Sequence, residues 1–160
     1  MNHAIQIETG KSIRFENVAS FRKKMKQSEV NLELGKFVNF LQQNNVQKNG
    51  PMITATFGVE NDQQEQILDI EFLIPIDKQI DMPHEYTFKP LFHLVHAVYA
   101  RYIGDPLQIE NTYNELTDFL QQNKLQQITP AYNMNLNDIH TLQGNEPIID
   151  IYIGVNPSIL

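Results

Sequence analysis

Two arginines and two carboxylates recur in this chain at one separation: Arg101 follows Arg22, and Asp150 follows Glu71, by 79 positions. A repeated arginine can clamp an anion with its planar fork of donors, or it can form a structural salt bridge duplicated with the chain. A repeated carboxylate on a strand can face solvent from a half-exposed sheet, or it can be held for a ligand. Other chemistries find less support. His93 and His96 stand three apart, so on a strand they point to opposite faces and share no metal. His3, His84 and His140 make no ligand spacing with them. Cysteine is absent, which removes disulfides, thiol nucleophiles and thiolate metal sites together. No serine sits in a nucleophile-elbow glycine pattern. The expectation is therefore no metal, no cofactor and no catalytic residue. The basic run Arg22-Lys23-Lys24-Met25-Lys26 can meet phosphate or an acidic partner, or be a solvated strand end.

The same separation governs a five-residue word, Phe-Leu-Gln-Gln-Asn, at Phe40 to Asn44 and again at Phe119 to Asn123. Without a gap it also places Gln47 on Gln126, Pro51 on Pro130, Gln64 on Gln143, Ile70 on Ile149 and Ile74 on Ile153. Val30 with Ile109, Phe37 with Leu116 and Val46 with Leu125 are conservative matches between them. Gln/Asn-rich amphipathic helices resemble one another by composition alone, but matching prolines and matching strands outside the helix point to an internal duplication.

The elements that must carry these residues follow in the same order in each half. Ile13 through Phe21 reads as a strand, with Ile5 and Ile7 either a strand or a frayed lead-in. Val30, Leu34, Phe37, Val38 and Leu41 form the apolar stripe of a helix that Ser28 or Asn31 is expected to cap. Met52 to Val59 and Ile67 to Ile76 alternate as strands around the polar stretch Glu60 to Gln66. On the second of these Ile70, Phe72 and Ile74 share one face, expected to be core, and Asp69, Glu71 and Leu73 share a mixed one. The second half repeats this as a strand from Phe88 to Tyr102, a helix from Ile109 to Lys124, strands at Pro130 to Leu136 and Ile148 to Val155, and a loop at Asn137 to Pro147. The predicted class is α+β: a duplicated βαββ unit, two helices packed on an antiparallel sheet with pseudo-twofold symmetry. One domain over 1–160 is expected, with halves at 11–77 and 88–156.

A net charge of −7 lacks the basic footprint of a nucleic-acid binder. No stretch reaches the roughly 18 apolar residues of a membrane span, and no signal peptide is legible. A cytoplasmic protein without nucleic-acid or membrane partners is expected.

Tyr99-Ala100-Arg101-Tyr102-Ile103-Gly104-Asp105 resembles the strand and turn that open the second half of the GyrI-like family, the effector-binding domains of bacterial transcription activators. Asp150-Ile151-Tyr152-Ile153-Gly154-Val155 is similar to their closing strand, and Glu71-Phe72-Leu73-Ile74-Pro75-Ile76 repeats it with the usual proline present. The resemblance covers residues 11–156. A weaker one is to an uncharacterised family of single-domain Firmicutes proteins. The first implies a small-molecule cleft between two βαββ halves; its members include drug-sensing domains on DNA-binding modules, stand-alone gyrase inhibitors and a few hydrolases. With no room for a helix-turn-helix before residue 11, a stand-alone member is expected. The acidic residue of the closing strand, here Asp150 with Glu71 as its mate, is implied to face the pocket and meet cationic ligands. A poorly solvated carboxylate gains strongly from a lipophilic cation beside it. Tyr99, Tyr102, Tyr113, Tyr132 and Tyr152 are the candidate walls, each cation–π contact contributing about 0.5–2 kcal/mol. Asp150 is one methylene shorter than the usual Glu and Gly154 stands where proline is common, which leaves pocket depth and cation preference open. The expected function is binding of a small organic ligand, apolar or cationic. The alternatives are a protein-interaction or inhibitor module using the same groove, and a hydrolase using Glu71 or Asp150 with a tyrosine.

Overall fold

The computed structural model describes residues 5–137 and 146–159, which form two compact units: Arg14–His93, and Leu94 onward together with the segment ending at Ile13. His3, His140 and most of the loop expected at Asn137 to Pro147 lie outside the described residues. Among the described residues the strands and α-helices follow in the order β1 (Ile7–Lys26), α1 (Val30–Gln43), β2 (Ile53–Asn61), β3 (Gln66–Pro75), β4 (Thr87–Ile103), α2 (Glu110–Gln122), β5 (Gln127–Asn135) and β6 (Ile148–Val155). Each half is thus strand, helix, strand, strand, and the class is α+β. The open question at Ile5 and Ile7 resolves into one 20-residue strand that starts at Ile7 and runs through the basic cluster.

In the first unit β3 is central, antiparallel to β1 on one side and to β2 on the other. In the second, β6 takes that place between β4 and β5. The final strand of each repeat therefore has both of its partners within its own unit. Helix α1 lays Phe37 and Leu41 on Ala19, Phe21, Ile70, Phe72 and Ile74, while Val30, Leu34, Val38 and Phe40 flank the contact. Helix α2 buries Leu116 and Leu120 on Val98, Ala100, Ile149, Ile151 and Ile153, with Ile109 and Tyr113 beside them. Both stripes fall where helical spacing places them.

The repeated five-residue word is a helix-ending device. In α1 the Asn44 side-chain amide donates to the Phe40 carbonyl at 2.8 Å, Asn45 turns to a φ of 57°, and the Val46 N–H donates to the Leu41 carbonyl at 3.0 Å. In α2, Asn123 donates to Phe119 at 2.8 Å, Lys124 has φ 54°, and Leu125 N–H meets Leu120 at 2.9 Å. Carbonyls that the helix end would leave unpaired are satisfied the same way twice.

Two expectations are corrected. Neither Ser28 nor Asn31 caps α1: a 3-10 turn at Gln27–Glu29 leads into the helix. There the Ser28 N–H donates to Glu65 at 2.8 Å and the Glu29 carboxylate accepts from the Lys26 N–H at 3.0 Å. The mixed face of β3 is also more buried than alternation suggests, since Leu73 is fully buried and Glu71 is only 5% exposed.

Candidate functional site

Strand parity sorts the candidate residues before any contact is considered. On β4 the even positions Val98, Ala100 and Tyr102 face α2, so Tyr99 and Arg101 face away from it. On β6 the odd positions face α2, which sends Asp150 and Tyr152 to the same far face as Tyr99 and Arg101. The ladder then pairs Arg101 with Asp150, Tyr99 with Tyr152, and Tyr132 with Tyr152.

Asp150, 5% exposed, is held from two sides. The Tyr99 hydroxyl donates to its Oδ1 at 2.8 Å, and the Arg101 guanidinium reaches it twice, Nε to Oδ1 at 2.8 Å and Nη2 to Oδ2 at 3.2 Å. The Tyr99 and Tyr152 rings pack with centroids 4.9 Å apart. Burial, and then the bond to Asp150, push the Tyr99 phenol up to about 12, so it stays a donor at every ordinary pH. Its hydrogen bonds to Asp150 hold the Arg101 guanidinium above its ordinary value. Burial likewise raises the Tyr152 phenol.

The first half builds a parallel centre with different parts. Glu71 is also 5% exposed, and the hydroxyl of Ser20, which aligns with Tyr99 in the duplication, donates to its Oε2 at 2.5 Å. The cation is not the aligned arginine. Lys89 Nζ lies 2.8 Å from Glu71 Oε2. Arg22, opposite Glu71 in the ladder, turns instead to Asp69, with Nε to Oδ1 at 3.0 Å and Nη2 to Oδ2 at 2.9 Å, and its guanidinium carbon sits 3.6 Å from the Phe57 ring centroid. The guanidinium bond holds the Asp69 carboxyl below its usual range. Serine, carboxylate and lysine together are the parts of a nucleophilic site, but Ser20 is 2% exposed and offers a substrate no approach.

Of the sequence candidates, the structure brings Tyr99, Tyr132 and Tyr152 to the face of Asp150. Tyr102 and Tyr113 lie on the helix side, where the Tyr102 hydroxyl donates to the Asp105 carbonyl and the Asn133 amide donates to the Tyr113 oxygen. Ser20 and Lys89 were missed. Ser20 carried a signal, its alignment with Tyr99 as a second hydroxyl; Lys89 carried none, because its reach to Glu71 depends on the fold. A cleft of about 580 Å³ in the first unit, among Phe21, Arg22, Lys23, Glu33, Lys36 and Tyr86, is lined by neither Glu71 nor Asp150. Among the described residues no group of three His, Asp or Glu is placed to hold a metal, and no helix is long and apolar enough to cross a membrane.

Gly154 has a local reason. A Cβ there would lie 2.8 Å from Leu94 Cδ1 and from Thr129 Cγ2, and its N–H donates to Thr129 Oγ1 at 2.8 Å. Proline, present at the aligned Pro75, would lack that donor.

The sequence matches no protein-family model and no curated protein. Solved structures do match. The EcmrR C-terminal domain superposes with a TM-score of 0.77 at 15% identity, over 98% of this chain and 100% of that one. In the EcmrR–DNA complex the TM-score is also 0.77 at 16% identity, covering 96% of this chain and 58% of that one, so the chain spans a little over half of EcmrR's length. An uncharacterized conserved protein from Listeria innocua gives 0.63 at 11% identity, over 92% and 93% of the two chains. SAV2435, solved bound to tetraphenylphosphonium, gives 0.51 at 10% identity, over 97% and 95%. The fold of this chain is that of the EcmrR C-terminal domain.

Proposed function

We propose that this chain binds a small organic molecule, apolar or cationic, against the tyrosine wall above Asp150. The observation that carries the reading is a carboxylate 5% exposed, on the sheet face turned from the helix, beneath two tyrosine rings 4.9 Å apart. Such a group offers a lipophilic cation what water does not: a poorly hydrated negative charge beside aromatic faces. Tyr132, opposite Tyr152 in the ladder, extends the wall. Glu71 is the candidate second contact in the first half. The tetraphenylphosphonium bound by SAV2435 is a ligand of this chemical kind on the same fold.

Thermal unfolding against a panel of lipophilic cations and neutral aromatics tests the reading. A compound at 100 times its Kd adds about 2.7 kcal/mol, a shift of several degrees. Asp150→Ala is expected to abolish the shift given by cations. A panel that moves no midpoint removes the proposal's support. The second reading, a protein partner, is favoured by Val95, 67% exposed on β4. It predicts a flat ligand panel and a complex weakened by Val95→Asp.

A further inference from the structure

The two halves hold one arginine position in two different arrangements. Arg22 and Arg101 align in the duplication, and each lies directly opposite a buried carboxylate, Glu71 and Asp150. Arg101 takes its carboxylate with two bonds. Arg22 pairs with Asp69, one side-chain row further along β3, and Lys89 Nζ lies 2.8 Å from Glu71 Oε2. The position aligned with Asp69 is Ile148, which offers no acceptor, and the position aligned with Phe57 is Leu136. The local alternatives thus decide where the guanidinium goes. The side-chain exposures show which partner can move: Asp150 is 7% exposed and Arg101 is 49% exposed, so the arginine reaches in from solvent over a fixed carboxylate. It can swing away by rotation about its own side chain, as Arg22 has, without disturbing β6.

We infer that Arg101 is a displaceable internal counter-ion that occupies Asp150 until a cationic ligand takes its place, and so sets the threshold that a cation must exceed to be held. The inference rests on the small-molecule reading above. A ligand must first offset the lost bidentate pair, so a small hydrated cation that offers only charge gains little. A cation that also covers Tyr99 and Tyr152 gains the aromatic contact in addition. Arg101 therefore sets a threshold that a cation with aromatic contacts passes and a small hydrated cation does not.

The experiment is calorimetric titration of tetraphenylphosphonium and of ammonium into the full chain and two variants. Arg101→Gln removes the competitor. Ile148→Asp gives Arg101 the alternative partner that Arg22 has, and keeps a cation in the second half should Arg101→Gln fold poorly. Each variant is expected to bind tetraphenylphosphonium about tenfold more tightly than the parent, the scale of one half-exposed bidentate pair. Ammonium, the small hydrated cation, is expected to stay far weaker than tetraphenylphosphonium and to gain by the same factor in the variants. Parent binding with unchanged or weaker affinity in both folded variants overturns the role of Arg101 and leaves the ligand reading intact. No binding of either cation by the parent or either folded variant overturns both. Binding confined to the variants supports the inference in its strongest form.

Discussion

Replacing Gly154 by alanine tests whether the second closing strand is as tightly seated as its contacts indicate. The added carbon would stand 2.8 Å from Leu94 Cδ1 and Thr129 Cγ2 and 2.9 Å from Thr129 Oγ1, where attractive carbon contacts sit at about 3.5–4.0 Å. Neither neighbour yields easily. Leu94 is 9% exposed, and Thr129 is fixed by accepting from the Gly154 N–H and donating to the Pro130 carbonyl, both at 2.8 Å. Overpacking of this kind costs about 1–3 kcal/mol, a fall of roughly 2–4 °C in Tm for each kcal/mol at this chain length. Gly154→Pro, the residue that the alignment with Pro75 suggests, also removes the N–H donor and is expected to cost about 1 kcal/mol more. Urea unfolding reads the effect as a lower midpoint at unchanged slope. Gly58→Ala is the control, because a Cβ there meets nothing within 4 Å; it should stay within about 0.5 kcal/mol of the parent. A double variant, Gly154→Ala with Thr129→Ser, removes one of the two nearest carbons and should recover part of the loss. If Gly154→Ala unfolds at the parent midpoint, the close approach is not real and the account of the missing proline falls with it.

Two further tests address the carboxylate centres. The Tyr99 phenol, pushed up to about 12 from an unfolded value near 10, binds its proton more tightly in the folded state. Its contribution is therefore full below pH 10 and is lost as pH rises from about 10 to 12. Absorbance titration at 295 nm should show this tyrosine ionising late, and Tyr99→Phe should delete that step; a late step that survives in Tyr99→Phe belongs to another residue. In the first half, Ser20 is 2% exposed and donates to a charged acceptor, so Ser20→Ala is expected to cost about 1.5–3 kcal/mol in urea unfolding. With Glu71→Ala the losses should not add, since both variants remove the Ser20–Glu71 bond; strict additivity would show that the bond carries no coupling.

Much of the architecture was legible because duplication is visible in a single chain. A spacing of 79 aligned two helix stripes, two closing strands and two helix-ending motifs, and each is a local matter of periodicity or hydrogen bonding within a few residues. Strand parity also carried part of the site: Tyr99 and Tyr102, three apart, had to face opposite ways, and only Tyr99 meets Asp150. The cap of α1 was misread because the Ser28 N–H is satisfied by Glu65, 37 residues away in sequence, which no local pattern announces.

What the sequence by itself determined is the repeat, the order of elements and the face on which each side chain lies, since period and parity are properties of the backbone alone. What only the tertiary structure decided is how deeply each face is covered and which of several like-charged neighbours a carboxylate takes. Glu71 and Asp150 read equally well as solvent-facing residues until both were found 5% exposed. Lys89 reaches Glu71 while Arg22 turns to Asp69, and Arg101 keeps Asp150 where Ile148 offers nothing else. These choices turn on strand register and on neighbours one row away, and long flexible cations follow the nearest acceptor rather than the sequence pattern that brought them there.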